Sequence, residues 1–110
     1  MPLKLTNSGL VAPFATEPDC GFPAVTGTVR PPTPTEVADY RDQCAGLRGA
    51  KLARAQAEFF ARHVRTWDVE GEDGAPAPVH PGSMLALPFP VFAQLERVVI
   101  EAGGTDAPGN

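Results

Sequence analysis

The chain has 110 residues, a formal net charge of −4 and 13 prolines. A length like this supports one domain at most, burying roughly 60–70% of its unfolded surface around a modest core. The acidic balance argues against a nucleic-acid binder, which needs clustered Lys and Arg against phosphates, and no run approaches the apolar length that spans a bilayer.

The hydrophobic fraction of 43% is near the globular norm, while the prolines gather at Pro13–Pro34 and Pro76–Pro90 and divide the chain into folded and extended parts. Met1–Thr6 has no apolar core of a secretory signal, so a protein kept in the cytosol, with Cys20 and Cys44 reduced, is the expectation. From Met1 to about Thr26 the sequence shows no helical period and is punctuated by Pro and Gly. Val25–Val29 alternates and reads as a short strand, with Leu3–Leu5 and Leu10–Val11 as weaker candidates.

Thr33-Pro34-Thr35-Glu36 reads as a helix start: Thr33 as N-cap, Pro34 at N1 and Glu36 at N3 closing a capping box. Val37, Tyr40, Cys44 and Leu47 then follow the spacing of one buried helical face, which Gly46 or Gly49 ends. A second helix is expected over Ala50–Trp67, where Leu52, Ala55, Phe59, Phe60, His63, Val64 and Trp67 recur at three- and four-residue steps. The two helices are expected to form a hairpin across the Gly49 break.

After Trp67, Asp68–Gly74 is an exposed acidic turn and Ala75–Val79 is extended. Pro81 opens a short helical turn through Met84 and Leu87, capped weakly by His80 or a neighbour. Pro88-Phe89-Pro90 launches the last helix, whose stripe is Val91, Phe92, Leu95, Val98, Val99 and Ala102, and Gly103-Gly104 stops it. Thr105–Asn110 reads as a mobile tail.

Convincing catalytic motifs are missing from this order of residues. Cys44 and His63 form a conceivable nucleophile and base, yet both lie on apolar stripes and lack an orienting third group. His63 and His80 with Asp68, Glu70 or Asp73 make a loose metal set without the alternating oxygens of a calcium loop. A binding role through surplus apolar surface fits better.

From Arg30 to Val99 the order of features resembles the small tail assembly chaperones of long-tailed bacteriophages and prophages. The resembling residues are Arg30-Pro31-Pro32-Thr33-Pro34-Thr35-Glu36, Phe59-Phe60-Ala61-Arg62-His63-Val64, Trp67-Asp68-Val69, Asp73-Gly74, Pro78-Val79, and Met84-Leu85-Ala86-Leu87-Pro88 leading into Phe92 and Leu95. The Pro/Gly-rich N-terminal part lies outside the resemblance. It implies a non-enzymatic protein without a cofactor that escorts the tape-measure protein while the tail tube assembles around it. At the matching positions, side-chain chemistry nominates Phe59, Phe60, Trp67, Leu87 and Phe92 as partner contacts.

The expected fold is mainly α: about three helices and a short helical turn over 33–103. An extended Pro/Gly-rich N-terminal arm over 1–32 carries a short strand, and a tail follows at 104–110. The competing expectation is a minor virion structural protein, capsid-stabilising or tail-associated, whose arm lies across neighbouring subunits. Either way the partners are phage structural proteins (tape-measure or tail tube, or else capsid subunits), with a homo-oligomer open and no metal required.

Overall fold

Residues 11–102 are described by the structure, a computed structural model. The expected strand at Leu3–Leu5 and the tail Thr105–Asn110 lie outside the described residues, as does the Gly103-Gly104 stop. The elements run β1 (Ala12–Ala15), β2 (Thr26–Val29), α1 (Pro34–Ala45), α2 (Gly49–His63), β3 (Val64–Trp67), α3 (Pro81–Leu85) and α4 (Phe89–Ile100). The strands form one antiparallel sheet in the order β1-β2-β3. The expectation of a mainly α fold with an extended arm is therefore corrected to α+β: the arm supplies β1 and β2, two of the three strands.

Two local features account for the difference. The expected second helix stops at His63, and Val64 turns extended at φ −67° and ψ 129°. Val64, Thr66 and Trp67 are β-branched or aromatic, and such residues suit a pleated, half-buried surface when a partner strand is at hand. Here β2 is that partner, and beyond its end the Arg30 N–H donates to the His63 carbonyl at 2.8 Å. At β1, Ala and Pro are poor strand formers and hid the element. Pro13 is tolerated because β1 is an edge strand.

Gly27 explains how closely β2 and β3 approach. A Cβ there would run into the Thr66 carbonyl oxygen and come to 2.8 Å from the Trp67 Cα, so no side chain fits. On the neighbouring pair, the hydroxyls of Thr28 and Thr66 share a hydrogen bond of 2.7 Å. Asp68 extends this seam, accepting from the Thr26 N–H at 2.9 Å and the Thr26 hydroxyl at 3.0 Å.

The helices begin as their residues dictate. Thr33 and Glu36 form the expected capping box: the Thr33 hydroxyl accepts the Glu36 N–H at 3.2 Å, and Glu36 Oε1 accepts the Thr33 N–H at 2.8 Å. Gly46 caps the end of α1, and Gly49 at φ +59° starts α2, a left-handed conformation that glycine adopts without steric cost. His80 caps α3, its Nδ1 accepting the Gly82 N–H at 3.0 Å.

All three other helices pack against α2, and α4 also meets β1. Phe59 stacks on Tyr40 of α1, centroids 3.9 Å apart, while Phe60 meets Phe92 of α4 edge-on at 5.3 Å. Ring pairs of this kind add about 0.5–1.5 kcal/mol beyond area burial. The core thus lies between the last two turns of α2, the inner sides of α1 and α4, and Val29 and Val64 of the sheet.

Candidate functional site

The apolar stripe of α2 is covered at its C-terminal end and open at its N-terminal end. Gly49, Leu52, Ala53 and Gln56 face Leu85 of α3, Leu87 and the start of α4 across an open groove of about 430 Å³, floored in part by Phe92. Phe89 stands at its edge, 75% exposed, and Leu85 is 40% exposed. Phe89 is held outward by its chain position: as the first residue of α4, between Pro88 and Pro90, it lies off the stripe of Val91, Leu95 and Val98. Large apolar side chains left in water beside a groove make it the candidate interaction surface.

The five nominated contacts divide. Leu87 and Phe92 line the groove. Phe92 links it to the interior, with its ring against Phe60 on the core side. Phe59 and Phe60 are only 2% and 1% exposed and belong to the core. Trp67 is part-buried against that core, and its indole N–H donates to the Ala77 carbonyl at 2.8 Å, tying β3 to the acidic loop. The periodicity that nominated Phe59 and Phe60 marks a buried face, and it cannot distinguish core from contact. Leu52, Leu85 and Phe89 were not nominated. The signal for Phe89 was its place between two prolines, off the stripe that α4 buries.

Two further hollows adjoin the groove. One lies between Phe22, Val25, Val69 and Val91; the other, of about 600 Å³, lies between the 69–78 loop and the residues Ser83, Ala86, Leu87 and Pro88. Leu87 lines all three hollows. The 69–78 loop is closed by its own backbone: Gly71 N–H donates to Ala75 O at 2.8 Å and Ala77 N–H to Val69 O at 2.9 Å. Gly74, at φ +80°, makes the turn, and Asp73 Oδ1 accepts the Ala75 N–H at 3.0 Å. This is hairpin-like order, so the carboxylates of Glu70 and Glu72 stand on a shaped support.

At the opposite end of α2 from the groove, the α2–β3 junction holds a polar node. His63 is 0% exposed; its Nδ1 bonds the Phe59 carbonyl at 3.0 Å as donor, and its Nε2 faces Glu36 Oε1 at 3.5 Å without a hydrogen bond. Glu36 also receives Arg30, at 2.8 and 3.3 Å to its two oxygens. The Arg30 guanidinium holds the Glu36 carboxyl down from 4.5 to about 2, against the opposing effect of burial, with help from the Thr33 N–H. The node joins the end of β2, the start of α1 and the end of α2.

The Cys44–His63 pair is not assembled for catalysis. Both ring nitrogens of His63 are directed elsewhere, and burial pushes the Cys44 thiol up, away from the thiolate that attacks. Burial, then the hydrogen bond to Glu96 at 2.7 Å, likewise raises the Tyr40 hydroxyl. Cys20 and Cys44 are both free thiols. Among the described residues, no group of three or more His, Cys, Asp and Glu is placed to hold a metal ion, and no helix is long and apolar enough to cross a membrane. No family model, curated protein or solved structure matches this chain.

Proposed function

We propose that this chain is a protein-binding factor that holds a partner segment in the groove between the first turns of α2 and the α3–α4 corner. The observation that carries it is the outward Phe89 beside a groove of Leu52, Leu85, Leu87 and Phe92. An aromatic side chain next to a concave apolar surface is the usual make-up of a binding hot spot. The sequence resemblance over Arg30–Val99 supplies the biological setting: a tail assembly chaperone whose partner is the tape-measure protein, acting in the host cytoplasm.

Co-expression with the tape-measure protein tests this. The wild-type chain is expected to keep that protein in solution and to co-purify with it, and Phe89→Ser is expected to abolish both while leaving the chain folded. Capture that survives Phe89→Ser counts against the groove. Mass spectrometry of purified particles separates the roles: a chaperone is absent from them, whereas a capsid or tail component appears at a fixed copy number.

A further inference from the structure

Resting on the groove as the docking site, we propose that the partner segment pairs a large apolar anchor with a neighbouring Lys or Arg. The anchor seats between Leu52, Leu85 and Phe89, and the cation seats in the acidic hollow beyond Leu87. Three observations lead there. Leu87 lines both the groove and the hollow, so the two form one continuous surface. The hollow is lined by the apolar Val69, Ala86, Leu87 and Pro88 together with Glu70, Glu72 and Asp73. Neither Glu70 nor Glu72 has an ion-pair partner among the described residues.

A long cationic side chain matches that combination, because its aliphatic stem covers apolar surface while its charged head reaches a carboxylate. A purely apolar segment would leave the carboxylates facing it unpaired, and an acidic one would be repelled. Orientation follows from the α2 side of the groove, where exposed Arg48 adjoins Gly49. Like charges repel there, so the segment's cation lies toward Leu87.

Two synthetic amphipathic peptides serve as probes, one of Leu and Lys and one of Leu and Glu with the same spacing. Trp67 is the single tryptophan, and its indole is bonded to Ala77 on the wall of the hollow, so its emission reports occupancy. The Leu/Lys peptide is expected to bind and to weaken with salt, and the Leu/Glu peptide to bind much less. The Glu70→Gln/Glu72→Gln variant is expected to weaken Leu/Lys binding about three- to tenfold, the effect of two part-exposed ion pairs. Asp39→Asn/Asp42→Asn removes the same charge from α1 and is expected to change binding little.

Equal binding of both peptides overturns the proposal, as does an equal loss in the two double variants. A dimer seen by sedimentation that dissociates on Phe89→Ser, with neither peptide binding, assigns the surface to a second copy and also overturns it. The two levels of failure are separable in the tape-measure assay. If Glu70→Gln/Glu72→Gln captures normally while Phe89→Ser does not, the cation-binding role alone is lost; if both capture normally, the groove is lost as well.

Discussion

The last two turns of α2 and its first two differ in what covers them, although one apolar periodicity runs through both. Phe59, Phe60 and His63 are enclosed by α1, α4 and the sheet, whereas Leu52 and Ala53 look onto an open groove. The difference arises at the two ends of the neighbouring elements. Tyr40 and Phe92 bring bulky rings onto the later turns. At the earlier turns, α3 is only five residues long, and Phe89 between Pro88 and Pro90 points outward. A helix stripe therefore reports that a face is apolar, and its neighbours decide whether that face becomes core or contact.

The contrast can be broken most forcefully at the closed end. Phe59→Ala removes a ring stacked on Tyr40 and is expected to cost about 3–5 kcal/mol, read as a fall in the denaturant midpoint. Next in size is Gly27→Ala, which forces β2 away from β3 and is expected to cost about 1–3 kcal/mol. Near-wild-type stability there would mean that β2 and β3 do not meet as closely as described.

Glu36→Gln is expected to cost about 1 kcal/mol at neutral pH through the Arg30 ion pair, since a Gln at this position still accepts the Thr33 N–H. Because folding lowers the Glu36 carboxyl from 4.5 to about 2, its contribution is full above pH 4.5. The contribution is lost as pH falls from there toward 2. Wild type should therefore lose more stability over that window than Glu36→Gln, and parallel pH profiles would show that the Arg30–Glu36 pair is not formed in solution.

The smallest stability effect is expected at the open end. Phe89→Ser should shift stability by no more than about 0.5 kcal/mol, since the ring is in water, while abolishing partner capture. If it destabilises as Phe59→Ala does, the comparison fails and Phe89 is part of the core.

Much of the local structure was legible. Thr33, Pro34 and Glu36 mark the start of α1 because orphan helix donors need those acceptors at that spacing. The strand at Val25–Val29 emerges as β2, and the stripe Val91–Val99 becomes the inner face of α4. Elsewhere, short-range pattern gave out: Phe60, Val64 and Trp67 keep helical spacing through a segment that is half helix and half strand. Pro13 and two alanines concealed β1, whose stability comes from Val29, Thr28 and Gly27 opposite it rather than from its own propensity. At the candidate site, Leu87 and Phe92 were found by chemistry. Leu52, Leu85 and Phe89 were missed because their exposure depends on where α3 and α4 cross α2.

The residues by themselves determined the helix starts, the apolar faces and the acidic turn, all of which follow from interactions within a few positions of the chain. Only the tertiary structure decided that the N-terminal residues join a sheet, that α2 gives way to β3 after His63, and that the Leu52 end of one stripe borders an open groove. Those outcomes depend on strand pairing and helix crossing between segments far apart in sequence. Periodicity carries no information about them, and the Ala50–Trp67 block is thereby resolved into a helix whose far end lies in the core and whose near end borders an open groove, followed by strand β3.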